Sequence, residues 1–136
     1  MTLRQVVCDF ETASSCDLKT AGAWRYSEDP TTEILCFNWR EVIEGVPGRP
    51  GCWRPDQGAI PASLCDLVNY TGAIVWIAHN AMFEKAIWRN VLVPTYGMPD
   101  IPDERWHDTM AVCAVKSIPE CASSSSLAAM PHALWM

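Results

Sequence analysis

The sequence predicts an α/β domain spanning residues 1–136, with a mixed sheet flanked by helices, and three features predict it. In Val6 to Thr12 an apolar run leads to two carboxylates two positions apart, with Val6, Cys8 and Phe10 on one face of a strand and Asp9 and Glu11 on the other. The run Ile74 to Ala78 is apolar at every position, as in a strand covered on both faces and central in a sheet. Between and after them the patterns read strand, strand, helix, strand, helix, strand, helix, a mixed α/β order.

Composition narrows the function classes. The chain has 136 residues, enough for one buried core, and 49% of them are hydrophobic. The net charge of −6 argues against a basic protein that grips nucleic acid through a Lys/Arg surface. An enzyme that holds its substrate through metal ions is not excluded. The seven cysteines are odd in number and scattered, with no Cys-x-x-Cys, so reduced thiols in a cytoplasm are expected rather than a zinc site. No signal peptide precedes the first strand, and the longest apolar run, Ala73 to Ala78, is too short to span a membrane.

In chain order, Leu3 to Thr12 is the first strand. Its Asp9 and Glu11, roughly 7 Å apart along one face, repel each other. They are either two solvated acids on an edge strand or ligands of a hard cation such as Mg²⁺ or Mn²⁺. Ala13 to Glu33 reads as a long polar connection, with Trp24 and Tyr26 expected to anchor it. Ile34 to Arg40 is a second strand. Val46 to Gly58, rich in Gly and Pro, reads as a turn with Cys52 to Arg54 as a short edge strand. Pro61 to Tyr70 is helical, because Ile60, Leu64, Leu67 and Val68 fall on one side and Pro61 suits a first turn. After the Ile74–Ala78 strand, His79 and Asn80 lead into a helix over Met82 to Leu92. Its buried stripe is Phe83, Ile87 and Val91, and Pro94 ends it. Tyr96 to Arg105 is a Pro-rich loop, Trp106 finishes a short strand, and Asp108 caps a third helix through Lys116. A fourth helix after Ser123–Ser126 is opposed by Pro131.

Asp9-Phe10-Glu11-Thr12 followed by His79-Asn80-Ala81-Met82-Phe83-Glu84 resembles the first and second motifs of the DEDD superfamily of 3′–5′ exonucleases. Three further stretches resemble the proofreading domain of phage-type enzymes of the DNA polymerase I family. They are Asp17-Leu18-Lys19 with Gly22-Ala23-Trp24-Arg25-Tyr26, then Glu28 to Leu35, and Trp106-His107-Asp108-Thr109-Met110. The resemblance covers residue 3 to about residue 118 and implies a ribonuclease H-like sheet.

It implies that Asp9 bridges two Mg²⁺ or Mn²⁺ ions, that Glu11 ligates the ion activating water, and that Glu84 serves the other. Most of the superfamily has Asp at that position, and the extra methylene of Glu84 carries its carboxylate about 1.5 Å further. Thr12, Asn80 and Phe83 are the implied contacts to the substrate strand. Asn80 equally reads as a cap for the following helix, His79 as a packed residue, and Asp108 as a helix cap with an auxiliary role as the alternative. The implied reaction is phosphodiester hydrolysis at a DNA 3′ end, single-stranded, in the cytoplasm of a bacterial or phage-infected cell.

One departure is large. The third family motif, Tyr-x-x-x-Asp or His-x-x-x-Asp on a helix, is absent after Asp108. The literal match Tyr96-Gly-Met-Pro-Asp100 is a poor helix because of Gly97 and Pro99. The domain is therefore expected to lack the C-terminal helices of the full exonuclease. Two function classes follow: a two-metal exonuclease or its N-terminal fragment, and a catalytically weak or inactive binding module of a polymerase system. The second class makes a polymerase, a complementary C-terminal segment or a second copy the expected partner.

Overall fold

A computed structural model describes residues 2–115. The expected fourth helix after Ser123–Ser126 lies outside these residues, as does Lys116. Five strands form one sheet in the order β3-β2-β1-β4-β5: β1 (Arg4–Ala13), β2 (Glu33–Ile43), β3 (Val46–Trp53), β4 (Ile74–Ala78) and β5 (Trp106–Asp108). Strand β2 runs antiparallel to both β1 and β3, while β4 lies parallel to both β1 and β5. This is the expected mixed sheet, with β1 and β4 adjacent. As expected, β4 lies inside the sheet, between β1 and β5, and β1 is the middle strand.

One face of the sheet carries the core. Val6, Cys8 and Phe10 of β1, Phe37 and Trp39 of β2, and Trp76 of β4 are buried on it. Trp88, wholly buried, stands over the middle of this face. Its ring centroid is 5.4 Å from Trp76, 5.6 Å from Phe37 and 6.1 Å from Phe10. Its indole Nε1 donates to the carbonyl of Pro99 at 3.0 Å, so the polar tip is satisfied.

The helical segment carrying Trp88 differs from the single helix expected. It consists of α3 (Ala81–Ile87), a π-helical turn at Trp88–Leu92, and α4 (Val93–Tyr96). Pro94 does not end the helix; it sits in the first turn of α4. Proline brings no N–H and crowds the carbonyl four residues back, and the wider turn relieves both, with the Val93 N–H donating to the Trp88 carbonyl. Gly97, at φ 68°, then closes the helix, its N–H donating to Val93 O at 2.9 Å. Tyr96 and Asp100 thus lie at a helix end and in a loop, not on one helix face.

Two segments read as irregular are regular. The Ala13–Glu33 connection contains α1 (Leu18–Glu28), started by Asp17, whose carboxylate accepts from Lys19 N at 3.1 Å. Gly22 interrupts it at φ 82°, a conformation that hides the helical period. Tyr26 anchors α1 as expected, buried with its ring 5.9 Å from Phe83, but Trp24 is exposed. The segment after Val46 is an eight-residue edge strand despite Pro47 and Pro50. Gly51 is required there, since a Cβ would meet the Trp39 ring at 2.3 Å. Helix α2 (Ala62–Val68) buries Leu64 and Leu67 as expected.

Candidate functional site

The site forms where β4 stops short of β1. Beyond the Val7–Ile77 pair, β1 continues through Asp9, Phe10 and Glu11 with no β4 residue beside it. Helix α3 begins just past the end of β4 and lowers Glu84 into this gap. The Glu84 side chain is 3% exposed, and its Oε2 has no hydrogen-bond partner. Burial, and then repulsion from Asp9, push the Glu84 carboxyl up to about 8, although the N–H groups of Glu84 itself and Phe10 offset part of the rise. Asp9 is also raised, by burial first and by the charge of Glu11 second, while its hydrogen bond with Glu84 lowers it. Each carboxyl thus favours a proton on the pair, Glu84 the more strongly.

Thus Asp9 and Glu84 come together from elements distant in sequence. Glu11 repels Asp9 but stays outside the pair, on the exposed side just before the β-bulge at Glu11/Thr12. Among the described residues no group of three or more His, Cys, Asp or Glu side chains is placed to hold a metal ion. The oxygen chemistry suits Mg²⁺ or Mn²⁺. The Asp9–Glu84 pair is one carboxylate short of the implied set Asp9, Glu11 and Glu84.

The implied substrate contacts are engaged within the protein. Thr12 Oγ1 is 2.8 Å from Tyr26 OH, and Phe83 is half-buried against the same tyrosine. Asn80 precedes α3 in the left-handed region, φ 64° and ψ 59°, and its side chain makes no capping bond, contrary to the cap reading. Its backbone N–H instead donates to Asp108 Oδ1 at 2.9 Å. The same oxygen accepts from Met110 N at 3.0 Å, the N-cap bond expected for the third helix, α5 (Thr109–Val115). Asp108 therefore joins the starts of two helices through one carboxylate, a link that spacing along the chain does not reveal. His79 is held at its Nδ1, 3.1 Å from Thr109 Oγ1, while its buried Nε2 has no partner.

Among the described residues no helix is long and apolar enough to cross a membrane. No protein-family model matches the chain, and no curated protein matches it either.

Proposed function

We propose that this chain is a ribonuclease H-like exonuclease fold whose metal site is incomplete, acting as a catalytically weak or inactive binding module of a phage or prophage polymerase system. The observation that carries this reading is that Asp9 and Glu84 come together while, among the described residues, no third His, Cys, Asp or Glu side chain joins them to hold a metal ion. The parallel β1–β4 pair, with both carboxyls at its end, supports the fold assignment. Its partners under this reading are a single-stranded DNA 3′ end and a polymerase. The six cysteines of the described residues, all free thiols, agree with a cytoplasmic setting.

A second reading, a divalent-ion-dependent 3′–5′ exonuclease, is favoured by one observation: the buried, unpartnered Glu84 oxygen beside Asp9. One experiment separates the two. The protein is incubated with 3′-labelled single-stranded DNA and Mn²⁺, with Asp9→Ala alongside. The module reading expects no nucleotide release above the Asp9→Ala background. Release at enzyme-like rates, on the order of 1 s⁻¹, abolished by Asp9→Ala, overturns it in favour of the nuclease.

A further inference from the structure

The Arg4 N–H donates to the carbonyl of Ala73 at 3.0 Å, so it points from β1 toward β4. Backbone N–H groups alternate sides along a strand, and those of Val6, Cys8 and Phe10 therefore point the same way. The last β1–β4 pair is Val7–Ile77, which leaves the Phe10 N–H facing a place where β4 has already ended. Phe10 is buried, and a buried N–H requires an acceptor. The Glu84 carboxyl is that acceptor. It continues the ladder of β1 past the end of β4 and meets Asp9 at the same point.

Glu84 reaches this point only if α3 starts in the right place. The start lies at Asn80, four residues earlier, whose left-handed backbone carries no side-chain cap. Residues of β5 and α5 hold it instead. Asp108 Oδ1 accepts from Asn80 N at 2.9 Å, and Thr109 Oγ1 lies 3.4 Å from Ala78 O and 3.1 Å from His79 Nδ1. The Asn80 carbonyl then accepts from Phe83 N at 3.0 Å, which opens the first turn of α3. Burial of Ala81 and Ile87 presses α3 onto the sheet. Apolar contact has no preferred direction, however, whereas a hydrogen bond fixes both distance and angle. Glu84 lies about 6 Å along the helix axis from Asn80, so little slack separates them. A slip of about 1 Å at the start would carry the carboxyl out of hydrogen-bond range of Phe10 N.

We propose that Asp108 is a positioning residue for the carboxyl pair: by holding Asn80 N it sets where α3 begins and, one turn later, where the Glu84 carboxyl meets Phe10 N and Asp9. The pair thus depends on the edge strand β5 as well as on α3. The inference goes beyond the capping of α5 and holds for either reading of the pair.

The Phe10 amide is the reporter, because Glu84 alone stands where its strand partner is missing. Its hydrogen exchange is followed by NMR in the full chain and compared with that of Val6, whose N–H points the same way but lies within the β1–β4 pairing. Glu84→Met, which fills the space without an acceptor, should quicken Phe10 about tenfold relative to Val6. Asp108→Ala should do the same from the other end of the chain of contacts. Asp108→Asn keeps the Oδ1 acceptor and should leave Phe10 within about twofold of the parent. A residue that only caps α5 would quicken Met110 and leave Phe10 unchanged, and that result overturns the proposal. It is overturned equally if Glu84→Met leaves Phe10 protected, or if Asp108→Asn exposes Phe10 as fully as Asp108→Ala. Should Val6 quicken as much as Phe10 in Asp108→Ala, the sheet has opened as a whole and Asp108→Ser decides. Its shorter side chain still caps α5 but draws back from Asn80 N. Fast exchange at Phe10 beside a slow Val6 then supports positioning, and a slow Phe10 overturns it.

Discussion

The two faces of the sheet are built from the same strands and differ in what stands on them. On one face, alternate residues of β1, β2 and β4 meet Trp88 and close into an aromatic cluster with almost no exposure. On the other, the intervening residues Val7, Asn38 and Ile77 line an open hollow. Asp9 belongs to this second face, yet Glu84 reaches it from the first, through the gap above the end of β4. Stability is concentrated on one face, and the unusual electrostatics lie where the two meet.

The sharpest way to break the comparison is to empty one face at a time. Trp88→Ala removes the ring around which the core is arranged and should cost about 3–5 kcal/mol. Val7→Ala, on the hollow, should cost about 1 kcal/mol. Urea unfolding of both variants checks this, and equal losses would mean that the open face is as tightly packed as the other.

A second test addresses the seam between the faces. The carboxyl of Glu84 is raised in the folded state, so the folded protein holds a proton that the unfolded chain releases. Folding stability should therefore fall as pH rises from the ordinary carboxyl range to about 8, and level off above it. Glu84→Gln keeps the shape without the charge. It should remove most of this slope and leave the variant more stable than the parent at pH 8.5, by up to a few kcal/mol. Unfolding curves at pH 5 and pH 8.5 measure both effects. A parent whose stability rises over that interval would show that Glu84 is not the proton holder.

The smallest effect concerns the link between α3 and α5. Asp108→Ala removes the cap of α5 and the acceptor for Asn80 N, and should cost about 1–2 kcal/mol. Hydrogen exchange should quicken at both Asn80 and Met110. Faster exchange at Met110 alone would reduce Asp108 to a simple cap.

Strands β1 and β4 were legible in the sequence because their patterns are local: an apolar run ending in two acids on one face in the first, unbroken apolarity in the other. Helix α1 was not, since Gly22 at φ 82° splits it into two pieces too short to show a period. Its one clear signal was Asp17, with Lys19 N on its carboxylate. The extent of β3 was hidden by its prolines and glycines. In α3 the inward stripe was read one position off at its start. Phe83 is only half-buried, while Glu84 and Trp88 point into the molecule together with Ile87 and Val91. A carboxylate at a buried helical position contradicts the usual preference, so pattern alone assigns it outward. The pairing of Asp9 with Glu84, and the exclusion of Glu11 from it, depend on where β4 stops relative to β1, which no motif spacing encodes.

The edges of the sheet carry a consequence of their own. At one rim, β3 contains Pro47 and Pro50, two positions with no N–H to offer an incoming chain. At the other, β5 has only three residues before α5 begins. A sixth strand would find a broken row of donors on one side and almost no length on the other, so the sheet resists sideways polymerisation. Among the described residues, neither edge favours association by lengthening the sheet.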